Sequence, residues 1–261
     1  MPGIRLRPSF AATRRAWVPV FLLVAWQAAA SLGWIDPKLV PPPLTIIARF
    51  VAMIGDGSLP GNFLISLARV AAGLAIAIVL GAAAGVAAGL SRFGEDTLDA
   101  TLQMGRTLPH LALIPLLILW FGIGETPKIA LVALGAVFPI YLNLFAGIRG
   151  VDPKLIEGAR VLGLTRAEMI RHVVLPGALP SFLVGLRYAV GIAWLSLVVG
   201  EQIAANSGLG YMMMEARDFL RTDVIMVGLL VYALLGLAAD QAVRSIERAA
   251  LAWRPSSLSK A

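Results

Sequence analysis

The chain is 261 residues long, 59% hydrophobic and 14% charged, with a formal net charge of +7; a soluble domain carries about 25% charged residues, so this is the composition of a membrane protein. It has no cysteine and only two histidines, His110 and His172, which excludes a disulfide framework, thiolate chemistry and a histidine- or cysteine-built metal centre. The basic balance would suit nucleic acid, but the placement of Lys and Arg around the apolar runs accounts for it with no nucleic-acid partner.

Uncharged runs cover 16–35, 70–91, 107–124, 129–148 and 224–239, and a further apolar stretch, 177–204, is interrupted by Arg187 and Glu201. A helix needs about 20 apolar residues to cross the hydrocarbon core, so the pattern predicts an all-α, polytopic membrane protein with about six transmembrane helices. Strands of a barrel would alternate apolar and polar residues, whereas these runs are apolar all round. A basic tail over 1–15, a single membrane domain over 16–243 and a second basic tail over 244–261 follow from the charge distribution.

Arg5, Arg7, Arg14 and Arg15 precede the first run, which ends in Ala28-Ala29-Ala30, the outline of a signal peptide with a small-residue cleavage site. Its apolar part, roughly 20 residues, exceeds the 7 to 15 of a signal, and the first-span reading is preferred. In the second run Gly81, Gly85 and Gly89 put small residues on one helix face, suited to close contact with another span or with a second copy. His110, beside Pro109 at the start of the third run, reads as a hydrogen-bonded interfacial residue rather than a proton relay, because no second ionisable group lies nearby in sequence.

Between the fourth and fifth runs lies EGARVLGLTRAEMIRHVVLP, residues 157–176, inside a polar segment over 149–176. Asp152 can cap a helix with Pro153 at its first position, Gly163 can end that helix, and Thr165 with Glu168 forms a capping box that starts a second one. Pro176 then leads into the fifth run. From the residues alone this is a helix-turn-helix or an amphipathic surface loop. With the N-terminus inside, fifteen of the 22 Lys and Arg fall on the cytoplasmic side, which places both termini and this segment in the cytoplasm.

Charge within the fifth run is costly, at least about 2.5 to 3.5 kcal/mol per residue at the centre of a span. Arg187, Gly191, Trp194, Val198 and Glu201 fall along one stripe at helical spacing, the candidate wall of a transport pathway. Arg187 and Glu201 lie roughly 21 Å apart on that helix, so each needs its own partner, or each reaches an interface. Met212-Met213-Met214 reads as packing, and the tryptophans lie mostly near run ends as interface anchors.

Glu157, Gly163 six residues on, then nine residues to Val173 and on to Leu175-Pro176, resemble the cytoplasmic loop signature of bacterial ABC importer permeases, with Gly158 in place of an Ala and Val173 in place of an Ile. The stretches 108–150 and 201–224 resemble the nitrate, taurine and aliphatic-sulfonate permeases, nearest the aliphatic-sulfonate members, with a likeness running from Trp17 to Trp253. The resemblance implies a type I ABC importer permease of the bacterial inner membrane. Glu157, Gly158, Ala159, Arg160, Gly163, Leu164, Leu175 and Pro176 would then form a coupling helix and its flank, seated on a cytoplasmic ATP-hydrolysing subunit. It further implies a periplasmic substrate-binding protein and a homodimer of the permease, with no cofactor. None of Lys38, Lys128, Lys154 and Lys260 follows a glycine, so no phosphate-binding loop occurs, and no nucleophile elbow does either; no catalytic residue and no metal ligand are expected. An ion-coupled transporter would bury several carboxylates at mid-membrane, where only Glu201 approaches that description, and a passive anchor has no need of the loop spacing.

Overall fold

The computed structural model describes residues 8–253, with side chains from Trp17 onward. Among these residues there is no strand, and the chain is a succession of helices: α1 (Pro8–Ser31), α2 (Pro43–Gly55), α3 (Ser58–Leu90), α4 (Arg92–Thr107), α5 (His110–Phe121), α6 (Glu125–Arg149), α7 (Pro153–Val161), α8 (Arg166–Ala204), α9 (Leu209–Asp218) and α10 (Thr222–Ala250). Residues 1–7 and 254–261 of the expected basic tails lie outside the described residues, and α10 runs past the expected tail boundary at 244.

Four of the helices, α3, α6, α8 and α10, are long and apolar enough to cross a membrane among the described residues, and α4 with α5 forms a pair bent by 83°. The expected third span, 107–124, is therefore not one straight helix. Pro109 pushes Leu108 into extended backbone, which stops α4, and α5 restarts as a tight turn over His110–Leu113 before Pro115. In α1 the described side chains, Trp17 to Ser31, form an apolar helix. The last span is longer than its uncharged run: α10 has 29 residues, because it continues through Asp240 and the basic residues beyond.

The chain divides into two compact units, one holding the chain up to Gly61 together with Met212–Val231, the other Asn62–Tyr211 with the chain from Tyr232. In the first unit Gln27 accepts a hydrogen bond from the Leu44 amide at 3.1 Å, and Arg49 pairs with Asp223 at 3.3 Å. Met212 and Met213 are buried there, and Met213 fills the space left by the missing side chain of Gly228. In the second unit α6 is the central helix. Val132, Ala136 and Ile140 on it are buried against Val70 and Ala77 of α3 and Ala189, Ala193 and Leu197 of α8. The glycine face of α3 packs within the chain, on α6: a Cβ on Gly81 would lie 2.9 Å from the Val137 carbonyl oxygen, and one on Gly89 2.8 Å from Ile148 Cγ2. A second core, built on Leu144, Ile148, Val151, Val174 and Ala178, seats the base of the polar segment.

Candidate functional site

The polar segment is built by local chemistry. Asp152 accepts from the Lys154 amide at 2.9 Å and Pro153 opens α7, so the first turn loses nothing by lacking a donor. At its end Gly163 has φ of +79°, the left-handed region. Its amide donates to the Arg160 carbonyl at 2.9 Å and the Leu164 amide to the Ala159 carbonyl at 3.1 Å, the Schellman closure of a helix. Thr165 and Glu168 then form a reciprocal capping box, with the Thr165 amide donating to Glu168 at 2.8 Å.

One expectation needs correcting. The second helix does not end before the fifth span. It is the start of α8, continuous from Arg166 to Ala204 through a π turn over Ile170–Val174. The widened turn immediately precedes Pro176, which has no amide hydrogen and whose ring crowds the carbonyl four residues back in a regular helix.

Of the residues assigned to the coupling segment, Glu157, Gly158, Arg160, Gly163 and Leu175 are exposed, Leu164 and Pro176 are half-buried, and Ala159 is buried. At the turn between α7 and α8, Val161 and Leu162 stand 88% and 80% exposed, two apolar side chains at the tip of an otherwise polar segment. Such a tip is suited to docking.

The α8 stripe separates into two places. Arg187, Gly191, Trp194 and Val198 line one groove of about 400 Å³ together with Tyr232, Gly236, Ala239 and Asp240 of α10. Arg187 Nη2 donates to Glu247 at 2.5 Å, and its Nε lies 3.4 Å from Asp240. Trp194 meets Tyr232 edge to face with centroids 6.3 Å apart.

Glu201 lies elsewhere, 1% exposed, at the heart of a polar cluster. It accepts from Ser66 at 2.8 Å, from Arg69 Nη1 at 2.6 Å and from the Gly210 amide at 2.8 Å. Arg69 holds Glu125 with a two-pronged grip, Nε at 2.5 Å and Nη2 at 2.7 Å, and reaches the Ser207 carbonyl at 2.7 Å and hydroxyl at 3.0 Å. All five guanidinium donors are used. Lys128, itself buried, donates to Glu125 at 3.1 Å. Gly208 must be glycine, since its φ is +107° and a Cβ would overlap the Glu201 carboxylate. This cluster joins the ends of α3, α6 and α8 to the loop after α8.

Ser66, Arg69, Glu125, Lys128 and Ser207 were not among the sequence candidates. Their one signal is that Arg69, Glu125 and Lys128 each stand at the edge of an apolar run, but a partner 132 positions away in Arg69–Glu201 has no local pattern. His110 is hydrogen-bonded to Ser196 at 2.9 Å. Among the described residues no group of three His, Asp or Glu gathers to hold a metal.

Residues 73–251 match the family described as binding-protein-dependent transport system inner membrane component. The chain is 48% identical to a permease of Escherichia coli (strain K12) named for aliphatic sulfonates transport, SsuC, over 92% of this chain and 91% of that one. It is 37% identical to the taurine transport system permease protein TauC of the same strain, over 89% of this chain and 86% of that one. Its fold is similar to that of the MetNI methionine ABC transporter in inward-facing conformations, with a TM-score of 0.58 and 22% identity over 72% of this chain and 95% of that one.

Proposed function

The chain belongs to the family of binding-protein-dependent transport system inner membrane components, and from that premise we propose that it is the membrane-spanning permease subunit of an ATP-driven importer of aliphatic sulfonates. The observation that carries the reading is the doubly capped segment from Asp152 to Pro176, with Val161 and Leu162 exposed at its tip. A capped, water-facing pair of helical turns with an apolar tip is a surface for a partner. The chain has no phosphate-binding loop of its own, so ATP is hydrolysed by a separate cytoplasmic subunit docked there.

A periplasmic binding protein delivers the sulfonate to the outer face, and two copies of the permease form the pathway between them. Closure of the ATPase subunits draws the two coupling segments together and turns the pathway outward; release turns it inward. Such switching requires each partner to bind the two states unequally. The excess of Lys and Arg puts both termini and the coupling segment inside and the Arg69–Glu201 cluster toward the periplasmic face.

Deletion of the gene is expected to abolish growth on alkanesulfonates as sole sulfur source and to spare growth on sulfate. Unimpaired growth on alkanesulfonates, in a strain lacking a second uptake system, refutes the substrate. Loss of growth on taurine alone would move the assignment to taurine, the reading that the 37% relative favours.

A further inference from the structure

The groove between α8 and α10 is lined by two residues that each carry a polar atom with no hydrogen bond. Arg187 Nε and Tyr232 Oη are both shielded from solvent and, among the described residues, both without a hydrogen-bond partner. Both residues line the same cavity of about 400 Å³, whose remaining wall is apolar apart from Asp240: Val190, Leu195, Val198, Ala239, Val243 and the face of Trp194. A volume of this size, an apolar wall and a few convergent polar groups are the ordinary composition of a small-molecule site.

The charges around Arg187 explain why a donor is left over. Guanidinium presents five N–H groups in a flat fork. Glu247 takes one at Nη2, 2.5 Å away. Asp240 pairs with Nε as an ion at 3.4 Å without forming a hydrogen bond to it, and its other oxygen is held by Arg244 Nε at 2.7 Å. Asp240 therefore steadies Arg187 without satisfying the Nε edge. No other cation lines the groove.

We propose that this groove is a binding site for an amphiphilic oxyanion, a sulfonate head on a short alkyl chain, within the permease itself. The head takes the Nε edge of Arg187, with Asp240 remaining on Arg244. The Tyr232 hydroxyl supplies a second donor, and the chain lies against Trp194, Leu195 and Val198. A flat guanidinium edge matches two oxygens of a sulfonate as it does those of a carboxylate. The proposal rests on the reading of the chain as a sulfonate permease and adds to it a site in the membrane, separate from that of the delivering protein.

The test uses the permease with its ATPase subunits, without binding protein, in nanodiscs of phosphatidylcholine, titrated calorimetrically with hexane-1-sulfonate. Saturable binding is expected, weakening roughly fourfold for each methylene removed from a fully buried chain, with no binding of hexan-1-ol or hexylammonium. Arg187→Gln should weaken binding at least tenfold. Tyr232→Phe removes only a hydroxyl that makes no hydrogen bond among the described residues, so it should fold as the parent does and bind about fivefold more weakly. Absence of saturable binding, or an unchanged affinity in Tyr232→Phe, overturns the site. Added phosphatidylglycerol should leave the affinity unchanged; competition by it would make the groove a lipid-headgroup site and also overturn the proposal. Uptake into proteoliposomes with binding protein and ATP separates the two levels. Sulfonate uptake without binding to the isolated complex refutes the groove and leaves the permease assignment, whereas absence of sulfonate uptake refutes the assignment itself.

Discussion

At the scale of single residues, the Arg69–Glu201 pair is a buried ion pair of the second unit, with side chains 4% and 0% exposed. Removing one partner strands a buried charge, so Arg69→Met should lower stability by about 3 to 5 kcal/mol. Thermal melting of the detergent-solubilised protein reads this, and a variant as stable as the parent would contradict it. The double variant Arg69→Met/Glu201→Leu should recover a large part of the loss, because well-packed apolar residues replace buried ion pairs at little cost. Gly158 offers the opposite case. A Cβ there meets nothing within 4 Å, so Gly158→Ala should stabilise α7 by about 0.5 to 1 kcal/mol, seen as a raised melting temperature. The need of Glu201 for a private partner was legible from the cost of charge in an apolar run. The partner's identity was not, because hydrogen bonds between Ser66, Arg69, Ser207 and Glu201 depend on which helix ends meet, and no spacing in the sequence encodes that.

At the scale of elements, the caps around 152–168 could be read residue by residue because each is completed within a few positions of itself. Asp152 reaches two residues, Thr165 three. The glycine face of α3 was readable as a close contact but not as one made with α6, since small residues suit any neighbour. The break between α4 and α5 was present in the sequence as Pro109 and Pro115, and hydropathy alone passed over it. The coupling role of α7 is tested by two changes of different kind. Gly163→Pro cannot adopt φ of +79° and should deform the turn, whereas Glu157→Lys reverses one exposed charge and leaves the fold intact. Both are expected to abolish stimulation of the ATPase by loaded binding protein, with Glu157→Lys costing several kcal/mol at a charged docking surface. Full stimulation and normal transport in both would remove α7 from the coupling role.

At the scale of the whole molecule, the expected membrane orientation rests on charge alone, because the positive-inside bias acts on loops and does not depend on packing. Single cysteines in this cysteine-free chain report it directly. With a membrane-impermeant thiol reagent on intact spheroplasts, Ser58→Cys should label and Ser91→Cys should not; the reverse pattern inverts the topology. The number of spans was only partly legible, since hydropathy counts apolar length whereas proline and the packing around it decide whether that length is one helix.

The continuity of α8 has a mechanical side. Its 39 residues make a rod of roughly 58 Å, with Arg166 at one end and Glu201 near the other. Glu201 is moored there to α3 and, through Arg69, to α6, so that in any tilt of α8 about this mooring Glu201 is the fulcrum and the turn between α7 and α8 is the far end. Arg166 lies 35 residues from that fulcrum and Trp194 seven. For a stiff arm with even rise, a push at the far tip reaches the Trp194 wall reduced roughly fivefold in travel and multiplied by the same ratio in force. A displacement of about five ångströms at the tip thus becomes about one ångström at Trp194 and about two at Arg187, fourteen residues from the fulcrum, enough to open or shut a hydrogen bond there while the moored end stays still.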